Sequence, residues 1–166
     1  MNKVEIKRSK RRKKTVEAKF VKDKLVIYLP EEMNIYDEKK WINKMIKWGE
    51  RRKTKKELNK NKLLLERSQK INKKYFNGKL DFSIKFVQNQ KTKFGSCSIK
   101  SKSIRISDKL AKMPQWVLDY VIIHELAHII YPNHSNRFWE KVNQYKYAER
   151  AKGYLIAMGM LSESKK

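Results

Sequence analysis

The 166-residue sequence predicts an α+β fold, with short strands, long helical stretches and one buried helix. Three observations carry this expectation. Short stretches near the N-terminus and across residues 82–107 alternate apolar and polar side chains with the period of a strand. Residues 37–76 repeat apolar side chains at three- and four-residue spacing, the period of a helix. Residues 116–131 are apolar on nearly every side, and a helix of that kind is buried.

The elements follow in order. Residues 1–14 end in Lys10-Arg11-Arg12-Lys13-Lys14, a block of like charge expected to be a mobile basic arm before a single domain over residues 15–166. Residues 15–21 and 25–29 read as two strands joined by the turn Lys22-Asp23-Lys24, an N-terminal β-hairpin that Pro30 closes. Trp41, Met45 and Trp48 then share one helical face. Residues 49–62 are densely basic and nearly without apolar side chains, which fits a solvated helix or a break between two helices. A second stripe, Leu64, Ser68, Ile71 and Tyr75, ends at Asn77-Gly78, a pair suited to stopping a helix.

Phe82, Ile84 and Phe86 predict a half-buried strand, and Ile104 and Ile106 another over Ser103–Ser107. Between them, Phe94-Gly95-Ser96-Cys97-Ser98 carries small residues and predicts a tight turn or bulge. Pro114 suits the first turn of the buried helix, and Pro132 ends it. Asn133 is expected to turn the chain back in the left-handed conformation. Ser135 or Asn136 caps a further helix bearing Phe138, Trp139, Val142 and Tyr145, before a C-terminal helix or tail.

Composition limits the function classes. The formal charge is +25, from 42 basic and 17 acidic residues. That balance favours polyanionic partners such as nucleic acid, or anionic membrane surfaces. The excess is mostly Lys, with abundant Asn and Ile and little Gly or Pro, a profile an AT-rich genome also produces on solvated surfaces. Cys97 is the one cysteine, which excludes an internal disulfide and suits a reducing compartment. No apolar run approaches a membrane span, and the basic N-terminus lacks the apolar core of a signal peptide, so a cytoplasmic location is expected.

The chemistry lies in His124-Glu125-Leu126-Ala127-His128. Positions four apart stack on one helix face, so both imidazoles can reach one ion. Glu125 sits about 100° further round the helix, near that ion without being needed as a ligand. This is the zinc-hydrolase arrangement of two ligands and a general base. All three histidines of the chain fall between residues 124 and 134, and His134 is the best third ligand if Pro132 and Asn133 return it under the helix. Its ten-residue spacing from His124 is that of the metzincin pattern, with Tyr131 where that pattern has Gly. Three protein ligands leave a position for water, as catalytic zinc sites do. Tyr131 and Arg137 are candidates to stabilise the transition state because they adjoin the ligands in sequence. Cys97 is a possible fourth ligand or a small buried side chain. Asp119 is a candidate to orient a ligand, or else a surface carboxylate in the first turn.

Three motifs in order resemble one family. They are Lys93-Phe94-Gly95-Ser96-Cys97-Ser98; Leu118-Asp119-Tyr120-Val121-Ile122-Ile123 running into the histidine-glutamate motif; and Asn133-His134-Ser135 followed by Phe138-Trp139. Across roughly residues 15–150 they resemble the YgjP-like metallopeptidase family, itself similar to the SprT-like and WLM zinc-dependent proteases. The family pattern has Trp where this chain has Phe94. The resemblance implies a zincin-like α+β fold with a small antiparallel or mixed sheet packed beside the buried metal-binding helix, Zn(2+) on His124, His128 and His134, and a catalytic Glu125.

Three functions compete. A zinc metallopeptidase would cleave peptide bonds with Glu125 as general base and acid, with nucleic-acid-associated proteins among the substrates the charge would favour. Some members of the family are described as pyrophosphatases acting on UTP, and the same metal site would serve that nucleotide chemistry, although no Gly-rich phosphate loop is present. A nucleic-acid-binding module with a structural metal is the third, with Trp41 and Trp48 stacking on bases, although their helical spacing favours a core role. Substrate and oligomeric state stay open at this level.

Overall fold

Three strands open the chain in the computed structural model, which describes residues 3–60, 62–88, 90 and 93–158: β1 (Val4–Ser9), β2 (Glu17–Val21) and β3 (Lys24–Pro30). The turn between β2 and β3 is made by Lys22 and Asp23, at φ 45° and 61°, so the expected hairpin forms. Strand β1 corrects the expectation of a mobile arm. It pairs in parallel with β3, giving the order β1-β3-β2. The ladder needs only backbone groups, and the basic side chains of β1 stay at exposed or half-exposed positions, where Arg8 pairs with Glu38 at 2.7 Å.

Helix α1 (Ile35–Lys60) starts at the Asn34 side chain, which accepts from the Asp37 N–H at 2.8 Å. Its Trp41, Met45 and Trp48 pack on Leu25, Ile27 and Leu29 of β3, so those tryptophans belong to a core. The basic stretch stays helical as far as Lys60, and α2 (Leu63–Phe76) follows. Helix α2 buries Leu64, Ser68 and Ile71. It ends at Asn77, φ 56°, whose N–H donates to the Asn72 carbonyl.

The chain forms two compact units, Met1–Lys56 and Glu57–Lys166. The second holds a sheet of order β4-β6-β5, with β4 (Ser83–Val87) parallel to β6 (Ser103–Ser107) and β5 (Gly95–Ser98) antiparallel to it. Strand β5 occupies the run expected to be a turn. Its small residues lack the alternation of a strand, and pairing with β6 supplies what propensity does not.

A 3-10 turn (Asp108–Lys112) leads to α3 (Gln115–Ile130), the buried helix. It contacts α2, β5, β6, and the last two helices, α4 (Asn136–Asn143) and α5 (Ala148–Ala157). Ile122, Ile123 and Leu126 have no exposure. Each such side chain contributes about 1.5–3 kcal/mol. Among the described residues, no helix is long and apolar enough to cross a membrane.

Candidate metal centre

Helix α3 places His124 and His128 one turn apart, with ring centroids 5.0 Å apart. His134 returns to the same spot, 5.1 Å from His124 and 4.7 Å from His128. The return is made differently from expectation. Asn133 is not among the residues with positive φ; instead Tyr131 leaves the helix extended, at φ −119° and ψ 96°. A residue before proline is pushed out of the helical region, so Pro132 sets this exit.

The candidate ligand atoms of the three histidines all lie within 4.8 Å of one another. His124 Nε2 and His134 Nε2 are 3.2 Å apart. Tetrahedral zinc with bonds of about 2.0–2.1 Å sets its nitrogens about 3.3 Å apart, so this pair fits such an ion. His128 donates from Nδ1 to the Tyr131 carbonyl at 3.2 Å, which leaves the Nε2 lone pair for a metal. Burial, then the neighbouring His128 and His134, push the His124 pKa down to about 3. Burial also lowers that of His128. Both rings are therefore neutral near pH 7, as metal ligation requires.

The wall behind the histidines comes from α4. Ser135 caps it by accepting from the Phe138 N–H at 3.4 Å. Phe138, with no exposure, packs 4.9, 4.6 and 4.7 Å from the rings of His124, His128 and His134. Trp139 stacks on His134 at 5.4 Å. These apolar contacts hold the rings without competing for their nitrogens.

Glu125 is 5% exposed, and its Oε2 has no hydrogen-bond partner among the described residues. Burial raises its pKa to about 8, against a smaller opposing effect of Lys93. The carboxylate lies against Gly95 of β5: a Cβ there would sit 2.7 Å from Glu125 Cδ. The Gly95-Ser96-Cys97 run thus leaves room for Glu125, a role invisible in a sequence where the two stand thirty positions apart.

Other candidates fall outside the cluster. Tyr131 contributes its carbonyl, which accepts from His128 Nδ1. Arg137 is exposed on α4, and among the described residues no hydrogen bond or ion pair joins it to them. Cys97 is half-buried on β5 and stays outside the histidine set. Burial, then Glu125, raises its pKa to about 11, so the thiol stays protonated. Asp119 is neither a ligand's partner nor a surface carboxylate. It is buried and bound by Arg67 of α2 through Nη2 and through Nε at 2.8 Å, with Gln115 donating at 3.0 Å.

Two solved metallopeptidase zymogens share the fold, abylysin of Pyrococcus abyssi and jannalysin of Methanocaldococcus jannaschii. Each is 22% identical with a TM-score of 0.50, over 57% of this chain and 90% and 95% of theirs respectively. No curated protein matches the chain. The family model for the YgjP-like metallopeptidase domain matches residues 62–152, which include α2, the second sheet, all three histidines and Glu125. With more than half of its length matched, this chain belongs to the YgjP-like metallopeptidase family.

Proposed function

We propose that the protein is a zinc-dependent peptidase, with His124, His128 and His134 as the metal ligands and Glu125 as the group that moves the proton. The observation that carries the reading is the convergence of three imidazoles within 4.8 Å beside a buried carboxylate with a free oxygen. When bound, zinc supplies a Lewis acid for the scissile carbonyl and lowers the pKa of water to about 7. Glu125, whose ionised form the positive charge of the metal would favour, would take a proton from the attacking water as the water oxygen bonds to the carbonyl carbon. It passes that proton to the leaving nitrogen as the C–N bond breaks. Gly95 gives the carboxylate its place, and the Tyr131 carbonyl fixes the His128 ring. The outer edge of β5 has no strand partner among the described residues, and an extended substrate would pair with it through backbone groups.

Casein digestion by the zinc-loaded protein tests the reading. Glu125→Gln should abolish it with zinc still bound, and His134→Ala should lose the zinc. Digestion by Glu125→Gln at the wild-type rate would overturn the mechanism. Pyrophosphate release from UTP without any proteolysis would move the same site to phosphoanhydride chemistry.

A further inference from the structure

A second concave site lies across α3 from the histidines. It is a cavity of about 280 Å³ between α2 and the α4–α5 connection. Asp119, in its wall, precedes His124 by five positions, about 140° round the helix, so the two sites open on different sides. Three lysines line it: Lys70 and Lys74 from α2, and Lys146 from the connection. Asp119 is the only carboxylate in the lining, and Arg67 already binds it. Among the described residues none of the three lysines has an ion pair. Lys70 and Lys74 stand one helical turn apart, where like charges repel unless an anion joins them.

The remaining wall is aromatic. Tyr75 and Tyr147 flank Tyr145, at 6.1 and 5.7 Å between centroids. The Tyr145 hydroxyl donates to the Trp116 carbonyl, whereas those of Tyr75 and Tyr147 have no partner among the described residues. Lys74 Nζ and Lys146 Nζ lie over the rings of Tyr75 and Tyr147, 5.2 and 4.7 Å from the centroids, so an anion that draws the two cations together would uncover those ring faces. Cations beside free phenols and such faces match a ligand with an anionic end and a flat, polar-edged body. The volume lies just below the ~300 Å³ at which small-ligand pockets begin, so it suits one part of a nucleotide with the rest in the open mouth.

We propose that this cavity binds a nucleotide unit, its phosphate held by Lys70, Lys74 and Lys146 and its base set against Tyr75 and Tyr147. The unit is either a free nucleotide or part of a single strand. The site is separate from the metal centre, and its occupation does not depend on the peptidase reading.

Adenosine monophosphate and an oligothymidine octamer are the two probes, titrated into the full chain by calorimetry at low and moderate salt. The variant Lys70→Gln/Lys74→Gln/Lys146→Gln changes exposed side chains and should keep the wild-type melting temperature and zinc content. It should weaken binding by about tenfold or more, given three lost charge contacts. Lys100→Gln/Lys109→Gln/Lys112→Gln removes the same charge elsewhere and should weaken it less than about twofold. Binding of the monophosphate with no gain for the octamer assigns a free nucleotide; binding of the octamer alone assigns a strand. Equal losses in both variants, no binding of either probe, or equally tight binding of a polyglutamate peptide would overturn the proposal.

Discussion

Glu125 and Gly95 show how much one side chain's surroundings decide. A methyl group at position 95 would overlap the Glu125 carboxylate, which is buried and has little space to move aside. Gly95→Ala should therefore lower peptidase activity by about tenfold or more, as misplacing a catalytic group does, while zinc content stays unchanged. Undiminished activity would show that the carboxylate relocates without cost. Glu125 also sets a pH dependence. In the metal-stripped protein its folded pKa is about 8 against 4.5 for an ordinary carboxyl, so the folded state holds the extra proton. Its stabilising contribution is complete below the lower value and is lost as pH rises through the higher. His124 has the opposite sign, with its contribution present above 6.5 and lost as pH falls towards about 3. Urea melts of the stripped protein should thus show wild type losing stability relative to Glu125→Gln between about pH 5 and pH 8. Parallel curves would mean that the carboxylate is not held in a desolvated place.

At the scale of elements, α3 is fixed on one side by the sheet and on another by α2. The α2 contact includes Arg67 gripping Asp119 with two nitrogens, one of the stronger ion-pair geometries. Arg67 is 42% exposed at its side chain and Asp119 is 8% exposed, so solvent screens part of the attraction. Arg67→Ala leaves Asp119 with only Gln115 and should destabilise by about 1–3 kcal/mol, less than a fully buried pair would. A double-mutant cycle with Asp119→Asn measures the coupling, and additivity within error would show that the pair contributes nothing. The elements were unevenly legible. Helix α3 was plain because its apolar residues have no polar face, and the β2–β3 hairpin because Lys22 and Asp23 separate two alternating runs. Strands β1 and β5 were hidden: β1 just ahead of the Lys10–Lys14 charge block, β5 in small residues whose pairing partner follows later in the chain.

For the whole molecule, the three histidines and their supports all belong to the unit Glu57–Lys166. A metal that binds only folded protein should stabilise that unit by about 4 kcal/mol at a thousandfold excess over Kd. Removing zinc with a chelator should then lower the melting temperature by several degrees, and His128→Ala should abolish the difference. A melting curve indifferent to chelation would argue against a ligand set on these histidines. The sequence by itself determined the chemistry of the centre, because two histidines at helical spacing must share a face and an all-apolar helix must be buried. Only the tertiary structure decided that β1 is a strand, that Phe138 backs the three imidazoles and that Gly95 makes space for Glu125. The same holds for the cationic cavity, which draws on α2 and a turn more than seventy positions later. The reason is physical: periodicity and capping act between residues a few positions apart. Contacts between distant segments depend on how the elements close on one another, which local patterns do not encode.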